Sequence, residues 1–134
     1  MIGSERTNVL KVITVDDSPI IAERIKAILN EVEQVVFLGN ATNFSEALLL
    51  IERNQPDVVI VDIHLDAANS DGNGIQLLSI LRKKYSELKI IIFTNHNDLH
   101  YRLASIASGA DFFLDKSYDF NRIPEILHKW TQKK

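Results

Sequence analysis

Five consecutive residues, Val58-Val59-Ile60-Val61-Asp62, constrain this chain more than any others. A run this short, apolar and without polar alternation, is the pattern of a strand covered on both faces, as in a parallel sheet. Asp62 then falls at the carboxyl end of the strand, where open α/β sheets place their ligand crevice. Val9 to Val15 is a second apolar run, and Asp16 and Asp17 follow it at once. If these two strands are neighbours, three carboxylates meet at one sheet edge and repel each other until a cation joins them.

The remaining chain alternates in the same way. Further strands are expected over Val35 to Leu38, Lys89 to Phe93 and Phe112 to Leu114. Between them lie helical stripes: Ile21, Ile25, Ile28, Leu29 and Val32; then Phe44, Ala47, Leu48 and Ile51. Ile75, Leu78, Leu81 and Tyr85 mark a third helix, Leu99, Leu103, Ile106 and Ala107 a fourth, and Ile123, Ile126, Leu127 and Trp130 a fifth. Ser18 and Asn43 suit N-caps, Pro19 suits a first helical position, and Ser108-Gly109 ends the fourth helix. Pro124 restricts the last helix to a start near Asn121. Five strands alternating with five helices predict an α/β fold, a flavodoxin-like doubly wound parallel sheet of order 2-1-3-4-5.

A length of 134 residues allows one hydrophobic core. Residues 1–8 read as a disordered leader, 9–131 as the domain and 132–134 as a tail. The leader lacks the apolar segment of a signal peptide, and no run approaches the roughly 18 residues of a membrane span. Without cysteine, disulfides and thiolate metal sites are excluded, and a cytoplasmic location is expected. The net charge of −3 gives no footprint for nucleic acid. Arg82-Lys83-Lys84 and Lys133-Lys134 read as solvated helix ends.

The predicted strand ends carry Asp16 and Asp17, Asp62, Thr94 and Lys116. Oxygen ligands in this number suit a hard cation such as Mg²⁺. A carboxylate can be phosphorylated, a lysine can hold phosphoryl oxygens, and a hydroxyl can donate to them. This constellation resembles the receiver domain of two-component response regulators over residues 9 to 131. The segment Ser108-Gly109-Ala110-Asp111-Phe112-Phe113-Leu114-Asp115-Lys116-Ser117 is similar to the family's stretch through its lysine.

The resemblance implies that Asp62 accepts a phosphoryl group from a histidine kinase or a histidine phosphotransfer protein. It implies Mg²⁺ held by Asp17 and Asp62, by Asp16 through water, and by the backbone carbonyl of His64. Thr94 and Lys116 would hold the phosphoryl oxygens, and Thr94 and Phe113 would form a switch altering the face of helix four, strand five and helix five. That face, with Leu99, Tyr101, Arg102, Ile106, Arg122, Ile126 and Lys129 near it, is a candidate for an unknown downstream protein or a second copy. His64 and His96 fall where the family tunes phosphate lifetime. The resemblance also admits a cis Lys116–Ser117 bond, against the low prior of any non-proline cis bond. It implies a signalling switch with only self-phosphorylation and autodephosphorylation, not a conventional enzyme, and because only Thr131 to Lys134 follow the fifth predicted helix a stand-alone receiver is expected.

The loop after Asp62 departs from the pattern. The family's proline position holds Asp66, and Gly72 and Gly74 come later than the usual glycine, implying about four inserted residues. Asn69 to Gly74 matches the first half of a calcium loop, but position twelve is Ile80 rather than a bidentate Glu, and a turn-rich loop is the better account. Two other functions fit the fold: a phospho-independent pseudo-receiver, and a receiver fragment of a DNA-binding transcriptional regulator. A flavin-binding protein would need a phosphate loop where Asp16-Asp17 stands. A dehalogenase-like phosphatase would need an acid at position 64.

Overall fold

The structure, a computed structural model, describes residues 9–65, 73–95 and 98–132. Its elements in order are β1 (Leu10–Val15), α1 (Pro19–Leu29), β2 (Val35–Ala41), α2 (Phe44–Asn54), β3 (Val58–Val61), α3 (Gly74–Lys84), β4 (Lys89–Thr94), α4 (Leu99–Ala107), β5 (Phe112–Asp115) and α5 (Arg122–Gln132). The strands are all parallel, in the predicted order β2-β1-β3-β4-β5.

The unbroken apolar runs supply both faces of the sheet, because successive side chains of a strand point to opposite sides. Ile13, Val15, Val59, Val61, Ile90 and Ile92 pack with α2 and α3 through Ala47, Ile51, Leu77, Leu78 and Leu81. Val12, Val58, Ile60, Ile91, Phe93 and Leu114 pack with α1 and α5 through Ile25, Leu29, Ile123 and Leu127. The wholly buried Val58–Val61 strand is the axis of both layers.

The caps fix the helices that follow the site-bearing strands. Ser18 Oγ accepts from Ile21 N, with Pro19 in the first helical positions, and Asn43 Oδ1 accepts from Glu46 N. Asn73 and Gln76 form a reciprocal capping box on α3. Pro124 falls in the first turn of α5, where its missing N–H costs no helical bond.

Four readings change. β2 continues past Leu38 to Ala41 through a register shift opposite Val12 and Ile13, where Gly39 adopts φ 149°. The apolar residues of α4 do not face the core: Leu99 and Leu103 are 66% and 60% exposed and Ile106 is also exposed, while Ser105 is buried. Ile126, placed beside the partner face in sequence, is buried on the α1/α5 side. Arg82 is not a solvated helix end but binds the backbone of two loops.

There is no cis peptide bond among the described residues, so Lys116–Ser117 is trans. No described helix is long and apolar enough to cross a membrane. Asp66, His96, Lys133, Lys134 and most of the calcium-loop half-match lie outside the described residues. Of that half-match, Asn73 caps α3 and Gly74 begins it.

Candidate functional site

β1 and β3 are neighbours in register, Val15 opposite Val61, so the residues that follow them emerge side by side. Asp62 N donates to Val15 O at 2.9 Å, continuing the ladder one residue into the site. Asp16, Asp17 and Asp62 each bring a carboxylate oxygen within 4.8 Å of the other two. Asp16 and Asp62 are buried and Asp17 is exposed, so the cluster has one side open to solvent.

Lys116 arrives from the end of β5. Its Nζ lies 2.7 Å from Asp16 Oδ2 and 2.9 Å from Asp62 Oδ2. Its backbone N–H donates to Thr94 O at 3.0 Å, locking the end of β5 to the end of β4. Thr94 itself is fully buried and in register with Asp115. All five predicted residues therefore meet at one sheet edge, drawn from strand ends a hundred positions apart.

One ammonium faces three carboxylates, and the electrostatics reflect that surplus. Burial raises the Asp16 carboxyl above the usual carboxylate range, and Asp62's charge adds to the rise. The bonds from Lys116 and from Ser18 N–H offset this only in part. For Lys116, burial acts downward, but the hydrogen bonds to Asp16 and Asp62 outweigh it and hold the ammonium more firmly charged than an ordinary lysine. A further cation is what the site electrostatically lacks. An all-oxygen donor set with one exposed member fits a hard divalent ion that keeps waters, such as Mg²⁺.

His64 N donates to Asp62 Oδ1 at 3.2 Å, while the imidazole is exposed. Phe113 is buried in the α2/α3 layer, and the Arg102 guanidinium lies 4.8 Å from its ring centroid. Thr94 and Phe113, the two residues expected to form a switch, thus occupy adjacent strands, with Arg102 of α4 covering the ring.

Several positioning residues were not singled out from sequence. Asn40 Nδ2 donates to Asp16 O at 3.0 Å, and its Oδ1 accepts from Thr14 at 2.6 Å, so the extended β2 braces the acidic turn. Asp115 Oδ1 accepts from Ser117 N at 2.7 Å, and Asp119 Oδ2 accepts from Asp115 N at 2.8 Å, folding the Lys116 loop on itself. The Asx-type spacing of Asp115 and Ser117 is a legible turn signal; Asn40 depends on the register shift in β2, which has none. Gly74 N donates to Ile63 O at 2.8 Å, which identifies it, rather than Gly72, as the glycine that leads from the loop into α3.

Comparison with known proteins agrees with this geometry. The sequence model described as "Response regulator receiver domain" matches residues 12–128. The chain is 31% identical to the sensory transduction protein LytT of Bacillus anthracis over 125 residues, covering 93% of this chain and 48% of that protein. It is 28% identical to the probable C4-dicarboxylate response regulator DctR of Bacillus subtilis, covering 92% of this chain and 53% of that one. The chain thus spans about half the length of these curated relatives. Among solved structures, the receiver domain of the Francisella response regulator 1452 superposes with a TM-score of 0.76 at 30% identity, covering 91% of this chain and 98% of that one.

Proposed function

Since the chain belongs to the response regulator receiver domain family, we propose that Asp62 is its phosphoacceptor, charged by a phosphohistidine on a histidine kinase or histidine phosphotransfer protein. An Asp62 oxygen bonds to phosphorus as the phosphorus–nitrogen bond breaks. The electron pair leaves with the imidazole, and Asp62 becomes an acyl phosphate. Water later attacks phosphorus, releasing inorganic phosphate and restoring the carboxylate. The domain is therefore a switch rather than a turnover enzyme.

The single observation that carries this reading is the Lys116 ammonium bridging Asp16 and Asp62, with Asp17 open to solvent beside them. Lys116 is placed to follow the charge from the Asp62 carboxylate onto the transferred phosphoryl oxygens. The Thr94 hydroxyl, at the end of the adjacent strand, is the second donor to them. Asp16, Asp17, Asp62 and the carbonyl of His64 are the residues that would hold Mg²⁺. When bound, Mg²⁺ supplies charge neutralisation and orientation of the phosphoryl oxygens.

Thr94 and Phe113 carry the change outward to α4, β5 and α5. The stripe of Leu99, Leu103 and Ile106, spaced four and three residues apart and exposed, supports that face as the one offered to a downstream protein or a second copy. A second reading is the receiver part of a longer DNA-binding regulator: the half-length coverage of LytT and DctR favours the longer chain, and relatives named as transcriptional regulatory proteins favour the regulatory role.

The test is intact mass after incubation with Mg²⁺ and acetyl phosphate, beside Asp62→Asn. A single phosphoryl adduct on wild type, absent from the variant and prevented by EDTA, is expected. Wild type with no adduct would replace this reading with a phospho-independent interaction module.

A further inference from the structure

On the sheet face opposite Phe113, a single aromatic ring joins three of the strand ends that build the site. Phe120, buried four residues after Lys116, meets Phe93 edge-on, with ring centroids 4.8 Å apart and an interplanar angle of 90°. Phe93 immediately precedes Thr94. Arg24 of α1 lies over the same Phe120 ring, its guanidinium carbon 3.7 Å from the ring centroid. Arg24 is exposed, and α1 begins directly after Asp16 and Asp17.

The segment between Lys116 and Phe120 transmits position because it is closed on itself. Asp119 N donates to Asp115 O at 2.8 Å, Tyr118 N donates to the same oxygen at 3.2 Å, and the Asp115 and Asp119 carboxylates take Ser117 N and Asp115 N. Arg122 N donates to Asp119 O at 2.9 Å, tying this turn to the start of α5. A displacement of the Phe120 ring therefore moves the backbone that carries Lys116.

We infer that Arg24 and Phe120 form a clamp that positions the Lys116 ammonium between Asp16 and Asp62, with Arg24 acting from the surface as a positioning residue for phosphoryl acceptance. The inference rests on the phosphoacceptor reading for its effect on rate, but not for its effect on Lys116. An exposed guanidinium stacked on an aromatic ring contributes an amount equivalent to roughly a two- to fivefold change in an equilibrium. Its loss shifts the loop by that factor toward arrangements in which the ammonium leaves its carboxylates.

The experiment compares wild type, Arg24→Ala, Arg24→Lys and Phe120→Leu, with Arg82→Ala as a control lying far from the Lys116 loop. Hydrogen exchange of the Lys116 side-chain ammonium is followed by NMR, and the rate of phosphorylation by acetyl phosphate by intact mass. Arg24→Ala and Phe120→Leu should speed ammonium exchange about two- to fivefold and slow phosphorylation by a similar factor. Arg24→Lys, which keeps a cation over the ring, should recover most of both. Arg82→Ala should lose thermal stability while leaving both unchanged. Unaltered ammonium exchange in Arg24→Ala, or equal acceleration in Arg82→Ala, would overturn the clamp. Wild type with no adduct would overturn the phosphoacceptor reading instead, and the ammonium exchange would still decide the clamp.

Discussion

Gly74 packs so closely on the backbone of Asp62 that no β-carbon fits between them. One built there overlaps the Asp62 carbonyl oxygen and stands 2.7 Å from the Cα of Ile63. The contact is backbone against backbone, so no side chain can swing aside to relieve it. Since α3 starts at this residue, the helix and the Asp62 turn are seated against each other at one point.

Gly74→Ala must therefore push α3 and the Asp62 turn apart. Overpacking of this kind costs about 1–3 kcal/mol. A displaced nucleophile slows transfer about tenfold or more, given how steeply reaction rates respond to misplacement on the order of 1 Å. Thermal unfolding and the acetyl phosphate rate check both. A variant that melts and reacts like wild type would show that the turn yields freely.

Lys116→Met should separate the stability of the site from its reactivity. It leaves buried Asp16 and Asp62 without their shared ammonium, which costs about 3 kcal/mol in EDTA. Mg²⁺ should then bind more tightly than to wild type and restore most of that loss, because it meets the same carboxylates without a competing cation. Phosphorylation should remain strongly impaired even at saturating Mg²⁺. Calorimetric titration with Mg²⁺ gives the first result; weaker binding than wild type would show that Lys116 organises the carboxylates rather than competing for them.

The raised Asp16 carboxyl sets a pH dependence whose sign is opposite for stability and for metal binding. Between the ordinary value of 3.8 and the higher folded-state value, the folded protein holds a proton that the unfolded chain has released. Without metal, this group's contribution to stability therefore falls as pH rises through that window. Mg²⁺ needs Asp16 deprotonated, so its affinity should rise over the same window. Melting curves from about pH 4 to about pH 7, in EDTA and in Mg²⁺, should show a gap that widens with pH. Asp16→Asn should flatten it.

Much of this was legible in the sequence because the strands are buried on both faces. A continuous apolar run ending in a carboxylate has few places to go in a small α/β chain, and Val58–Asp62 and Val9–Asp17 fixed both the sheet and the acidic cluster. What was not legible depends on choices between near-equal local signals. Helix α4 has apolar residues on one stripe and Tyr101, Ala104 and Ser105 on another, and periodicity alone could not say that the second faces the sheet. Arg82 sits in a basic triplet like any solvated helix end. Only the turns it meets, brought near by β4 and β5, give its guanidinium something to bind.

That role makes Arg82 a determinant of stability. Its Nε and Nη2 donate to Gly109 O at 3.1 and 2.8 Å, its Nη1 donates to Leu88 O at 2.6 Å and Ser86 O at 3.1 Å, and Nη2 also meets Asp111 Oδ2 at 3.0 Å. Asp111 in turn accepts from Ile90 N at 2.8 Å, so the pair closes the entries to both β4 and β5. Hydrogen bonds from a charged donor contribute about 1.5–3 kcal/mol each at most, and these carbonyls can turn to water when the guanidinium leaves. Arg82→Ala should therefore cost about 2–3 kcal/mol rather than their sum. Arg82→Lys should recover little of it, because one ammonium cannot span Gly109 and Leu88 in the planar fork that both require. Denaturant unfolding checks the size of the loss. A variant within about 0.5 kcal/mol of wild type would mean that the two turns hold themselves, as an ordinary surface substitution would.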